Sequence, residues 1–217
     1  MGFVFDAEEY TELNRNRISI ILNRFGTNWF SGKKVLGLGC GHANMENILY
    51  TLGAIVTVTD ARKEHLDIVN NKYPQLKTIL YDLNNKDWPF ENDYDFILNT
   101  GIVYHLKEFE SFLNNCFSNC KNMFLESIVT DSDNPNLVVF VQEKGLDQSF
   151  TDEGCRPSFS NLERIIKNNG FTFERHLKRE LNTTQNLFDW ESKNTGESSC
   201  IIDNKFFWLR RAWFCSK

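Results

Sequence analysis

The stretch VLGLGCGHANMENILYTLGAIVTVTDAR, residues 35–62, limits the folds open to this chain more than any other. An apolar segment from Lys34 to Leu38 runs into three alternating glycines, Gly37, Gly39 and Gly41, which permit a tight turn and leave main chain bare. Met45, Ile48, Leu49 and Leu52 then recur at helical spacing, and Gly53 ends that helix. The β-branched run from Ile55 to Thr59 follows and stops at Asp60. The order is strand, turn, helix, strand. Two parallel strands need a connection about as long as a helix, so this frame predicts a parallel pair at the centre of an α/β sheet.

The rest of the chain repeats the rhythm. Ile18, Ile21, Leu22 and Phe25 form one buried stripe, which predicts a helix over 6–25 closed by Gly26. Leu66, Val69 and Tyr73 predict another helix ending at Pro74, and Leu76 to Tyr81 a third strand. YDFILNTG predicts a fourth strand ending at Asn99, followed by a helix that buries Phe109, Phe112, Leu113 and Cys116, and KNMFLESIV predicts a fifth strand. Ser160 and Glu163 have capping-box spacing at the start of a late helix closed by Gly170. Phe171 to His176 and FFWLRRAW predict the last strands. The expected fold is a Rossmann-like three-layer sandwich: a mostly parallel seven-stranded sheet with an antiparallel last strand. Two segments break the rhythm, 130–158 and the polar stretch 178–205, each read as an active-site lid or a surface hairpin.

At 217 residues the chain suits one well-buried domain, so residues 1–217 are read as a single unit with one site. The balance of 24 Lys+Arg against 29 Asp+Glu gives a net charge of −5, which disfavours a large nucleic-acid footprint. The first thirty residues lack an apolar leader and no run of about 18 apolar residues follows, so the expected location is cytoplasmic and no membrane partner is expected. Six cysteines occur without a CxxC pair, and no metal is expected. Asn182-Thr183-Thr184 matches a glycosylation acceptor, a chance match in a chain read as cytosolic. Oligomeric state is left open.

In open α/β sheets ligands bind beyond the carboxyl ends of the strands. Four ends here carry informative residues: the glycine turn, Asp60, Asp82 in YDLN, and Asn99-Thr100-Gly101. Singly, a glycine turn serves close packing and a strand-end aspartate is a solvated turn residue. Jointly, in a frame of this length, they point to an adenosine-type ligand, Asp60 being spaced to accept hydrogen bonds from ribose hydroxyls. A dinucleotide fingerprint fails, because its last glycine would be Asn44 or His42, and no GxxxxGK[ST] occurs.

On VLGLGCGHA, VTVTD, YDLN and YDFILNTGIVYHL, taken in this order and covering roughly residues 33–127, the sequence resembles the class I S-adenosylmethionine-dependent methyltransferases. The resemblance implies S-adenosylmethionine as cofactor. It places Gly37, Gly39 and Gly41 against that cofactor, Asp60 on the ribose with Arg62 just beyond it, Asp82 and Leu83 at the adenine, and main-chain groups of Asn99 to Gly101 at the methionine end. Two departures stand out. Gly37 occupies the position of an acid that contacts the methionyl ammonium, and Ala43 replaces the last glycine of the turn. Arg15 and Arg17 are candidates for the methionyl carboxylate, against the plainer reading of a solvated helix face.

The sulfonium already activates the methyl group, so the protein chiefly has to position a nucleophile and exclude water. Tyr104 and His105 in GIVYHL are the catalytic candidates, His105 as a base for a protonated acceptor. NTGI stands where a [DN]PPY motif would mark methylation of base amino groups, and no Pro-Cys nucleophile is present, so the expected acceptor is a small molecule, a sugar or a metabolite tail. Phe140, Phe150, Phe159, Glu143, Asp147 and Arg156 in the 130–158 insertion are candidates to shape its pocket. Transfer-RNA modification and a weak or inactive cofactor-binding partner module are the alternatives, the second kept open by Gly37.

Overall fold

The computed structural model describes residues 4–145, 148–177, 179–181, 201–202, 205–206 and 208–217. Eleven strands are present among them: β1 (Lys34–Leu38), β2 (Ile55–Asp60), β3 (Lys77–Leu80), β4 (Phe96–Thr100), β5 (Asn122–Thr130), β6 (Val138–Gln142), β7 (Glu153–Pro157), β8 (Thr172–Arg175), β9 (Ile201–Ile202), β10 (Lys205–Phe206) and β11 (Trp208–Ser216). Five helices accompany them: α1 (Glu8–Phe25), α2 (Asn44–Thr51), α3 (Lys63–Lys72), α4 (Phe109–Ser118) and α5 (Phe159–Asn168).

Seven strands form one sheet in the order β3-β2-β1-β4-β5-β11-β8. Neighbours from β3 to β5 run parallel, while β11 lies antiparallel to both β5 and β8. Alternation along the strands splits the apolar residues between two faces, because successive side chains point to opposite sides. Val35, Val58, Phe96 and Leu98 pack with Leu13, Ile21 and Leu49 of α1 and α2. Leu36, Ile97, Met123 and Trp213 pack with Leu113 of α4 and Ile165 of α5. The result is three layers. Strand order reverses at β1, flanked by β2 and β4, and the crevice at their carboxyl ends is where a ligand fits an open sheet of this kind.

Several boundaries differ from the sequence expectation. The first helix begins at Glu8, after a 3-10 turn at Val4–Asp6, and β4 extends to Thr100, held by pairing with Glu126. The capping box at Ser160 and Glu163 does not form. Ser158 caps α5 instead, its Oγ accepting from the Asn161 N–H at 2.9 Å, and the buried Glu163 carboxylate accepts from Arg175 and Trp213. Of FFWLRRAW, Phe206 belongs to the separate two-residue strand β10, and the long strand starts at Trp208. The 130–158 insertion is a hairpin of β6 against β7, joined to the body by a bridge from Thr130 to Ser158. Asp147, the acceptor pattern at 182–184 and most of the 178–205 stretch lie outside the described residues. Among the described residues no helix is long and apolar enough to cross a membrane.

Candidate functional site

The turn after β1 takes the left-handed backbone that its glycines allow: Gly39 has φ 56° and Gly41 φ 52°. Ala43 shares that conformation at φ 53°, where a β-carbon is strained, so its replacement of glycine carries a cost. Side chains close over the bare main chain. A β-carbon on Gly39 would collide with Ile102, and one on Gly41 would meet the Phe5 ring at 2.7 Å. Gly37 behaves differently. It lies within β1, between Val58 and Leu98, and the space beside it is filled by Glu46 from the first turn of α2.

Asp60 ends β2 and is buried. Its carboxylate accepts the Gly41 N–H at 3.0 Å and the Arg62 N–H at 2.9 Å, and His65 Nδ1 lies 3.2 Å away. A carboxylate has about four acceptor positions, so these partners fix its direction and leave one for a ligand hydroxyl. The Arg62 side chain reaches outward to the Gln148 carbonyl at 2.9 Å and lies over the Phe150 ring. Asp82 shapes its own turn by accepting the Asn84 N–H at 2.9 Å, which leaves Leu83 buried at the rim.

These strand ends open into a cavity of about 480 Å³. Gly39, Asp60, Arg62, Asp82, Leu83, Gly101, Tyr104 and His105 line it, as do Glu143, Phe150 and Arg156 from the insertion. Three sequence candidates stand apart. Gly37 faces Glu46, Gly41 lies under Phe5, and the Asn99 side chain is fully buried inside the sheet near Met123. Phe140 is exposed, and Phe159 packs under Arg211. Of the two helix arginines, Arg15 is exposed and Arg17 is buried on the cavity wall.

Arg17 is committed to Glu126 on β5, which also accepts from Arg210 of β11 at 2.7 Å. Burial alone would raise the Glu126 carboxyl, but Arg17 and Arg210 outweigh it and hold the group below its ordinary range. Arg210 also donates to the Tyr104 hydroxyl at 2.9 Å, and the Tyr104 ring lies beneath both Arg210 and Arg156. Glu126 and Arg210 escaped sequence reasoning. Their signal was a charge inside an apolar strand, FLESIV and WLRRAW, where an ion without a partner is costly.

His105 sits on a 3-10 turn, Val103–His105, that follows Gly101 with its left-handed φ of 73°. Its Nδ1 lies 2.5 Å from Glu143 Oε2, and Arg156 holds the other oxygen of that carboxylate. Burial lowers the His105 pKa and the Glu143 contact only partly restores it, with Arg156 and Arg210 adding to the depression. Glu143 stays below its ordinary range because His105 and Arg156 overcome its burial. The ionised carboxylate accepts only, so Nδ1 carries the proton and Nε2 is left basic. Among the described residues no cluster of three or more metal-ligating side chains occurs.

A family model described as a methyltransferase domain matches residues 10–176. The EEF1A lysine methyltransferase 3 of Xenopus tropicalis is 32% identical over 83 residues, which take in 35% of this chain and 36% of that protein, so the match spans about a third of the curated relative. Among solved structures, the N-terminal domain of EvdMO1 with SAH bound superposes with a TM-score of 0.69 at 14% identity, covering 94% of this chain and 80% of that one. The magnesium protoporphyrin IX methyltransferase of Synechocystis PCC 6803 with bound SAM gives 0.62 at 12% identity, over 100% of this chain and 86% of the other. YcgJ of Bacillus subtilis gives 0.64 at 11%, over 94% and 98%. At these identities the likeness is one of fold.

Proposed function

This chain belongs to the family of methyltransferase domains, and from that premise we propose that it transfers the methyl group of S-adenosylmethionine to a small-molecule acceptor seated beside His105. The observation that carries the reading is the shared cavity, where Gly39, Asp60, Leu83 and Gly101 meet His105, Glu143 and Arg156. Its volume of about 480 Å³ suits a small ligand. Gly39 and the Thr100–Gly101 main chain, Asp60, and Asp82 with Leu83 would hold the cofactor, which when bound supplies an electrophilic methyl on sulfur. His105 Nε2 takes the proton of an acceptor oxygen or nitrogen, and Glu143 fixes the tautomer that leaves Nε2 free for it. Arg156 holds Glu143, while Ile102 and Phe5 help to exclude water from the turn.

A second reading, methylation of a protein lysine, draws on the Xenopus relative. Two measurements test the proposal. Calorimetry with S-adenosylhomocysteine is expected to register binding, and methyl-labelled cofactor to deliver label to the low-molecular-mass fraction of a cell extract. Label confined to polypeptides would move the acceptor to protein. An absence of binding heat would remove the cofactor reading.

A further inference from the structure

The carboxyl group of Glu46 sits at the mouth of β1 with little to balance it. Gly37 has no side chain, and a β-carbon there would lie 2.5 Å from Glu46 Cγ and 2.6 Å from Oε1. A side chain at 37 and the observed position of Glu46 therefore exclude one another. The glutamate is only 3% exposed, yet among the described residues no ion pair reaches it. It borders a small cleft with Tyr10, Asn14, Gly39 and Thr100, and three of these four, Tyr10, Gly39 and Thr100, also line the main cavity.

Among the described residues, the groups facing it supply little counter-charge. From α1, Arg17 is committed to Glu126, and burial raises the Tyr10 hydroxyl so that it stays neutral. From the turn, burial keeps the Cys40 thiol protonated, and His42 is 3.0 Å from Asp6. From the end of β2, Asp60 adds a like charge. Burial holds the Glu46 carboxyl up at about 7, against the pull of the α2 backbone and of Arg17.

We infer that Glu46 is the carboxylate that receives the cationic ammonium of the cofactor's amino-acid end, its charge placed on α2 where the bare α-carbon of Gly37 leaves room. This rests on the S-adenosylmethionine reading above. Binding then draws a proton off Glu46, so affinity depends on pH in the neutral range.

The test titrates wild-type protein and E46Q with S-adenosylhomocysteine and with 5′-methylthioadenosine, which keeps the nucleoside and lacks the amino acid, at pH 5.5, 6.5 and 7.5. Wild-type affinity for S-adenosylhomocysteine is expected to rise by about 25-fold from pH 5.5 to 7.5 as Glu46 ionises. In E46Q it is expected to fall at least tenfold at pH 7.5 and to lose most of that pH dependence, while affinity for 5′-methylthioadenosine stays within about twofold. The double variant G37D/E46A returns a carboxylate to the strand end and is expected to recover most of the lost affinity. Equal affinities and equal pH profiles in wild type and E46Q would overturn the inference while leaving the cofactor reading intact. If the wild type binds neither compound, the cofactor reading falls and this inference with it.

Discussion

Glu143 bears on His105 in two ways that a substitution separates. Its charge and hydrogen bond raise the imidazole pKa against the larger effect of burial, and as a pure acceptor it keeps the proton on Nδ1. An amide at 143 abolishes the first and weakens the second, since its NH2 can donate to Nδ1 and drive the proton to Nε2. As the proposed base, His105 works only when neutral, so the rate is expected to fall as pH drops through its lowered pKa and to be flat above it. E143Q is expected to lower kcat by about tenfold or more and to shift that acid limb to still lower pH, whereas H105A is expected to lose roughly 100-fold and the limb altogether. The profile of kcat against pH checks both. A purely structural role for Glu143 would scale the curve without moving it, and that result would refute the assignment.

At the scale of elements, the start of α5 gives the clearest correction. Ser158 Oγ accepts from the Asn161 N–H and donates to the Asn134 carbonyl at 2.6 Å, tying the helix end to the loop before β6. S158A is therefore expected to cost about 1–2 kcal/mol in urea unfolding, and S160A less than about 0.5. Equal losses would restore the capping box at Ser160. The misreading is instructive because the S-x-x-E spacing was present, but Glu163 finds stronger partners in Arg175 at 2.6 Å and Trp213 at 3.0 Å, both distant in sequence. The same division runs through the molecule. Helices and strands from α1 to β5 were legible within about two residues because hydrophobic period is a local property. That Gly39, Asp60, Leu83 and His105 would come together at one cavity was legible because they follow the carboxyl ends of strands, where such sheets open. Asn99 lies in the strand, where its side chain follows the pleat into the interior, while Thr100 and Gly101 reach the cavity. What fills the space beside Gly37, and which arginines neutralise Glu126, depends on contacts that no period encodes.

Across the whole molecule, the sheet joins these parts into one trade between stability and binding. The triad of Arg17, Glu126 and Arg210 links the first helix, the fifth strand and the last strand beneath the cavity, and its two guanidinium groups balance the buried Glu126 carboxylate. Glu46 has no such partner among the described residues, so ionising it in the folded, ligand-free protein is unfavourable. Its carboxyl is raised from the ordinary 4.5 to about 7 on folding. The folded state thus holds this proton more tightly than the unfolded one. The resulting stability is fully present below the unfolded value and is lost as pH rises through 7, a change on the order of 3 kcal/mol. E46Q removes the titrating group and keeps its shape. Its melting temperature is therefore expected to match the wild type near pH 4 and to exceed it by several degrees at pH 8. Saturating S-adenosylhomocysteine should raise the wild-type melting temperature more than that of E46Q and so narrow the gap, because a ligand that binds only the folded state adds stability in proportion to its affinity. Scanning fluorimetry at the two pH values, with and without the ligand, measures all four terms. A variant that melts at or below the wild type at pH 8 would mean that Glu46 is already neutralised within the fold and has no charge to offer a ligand.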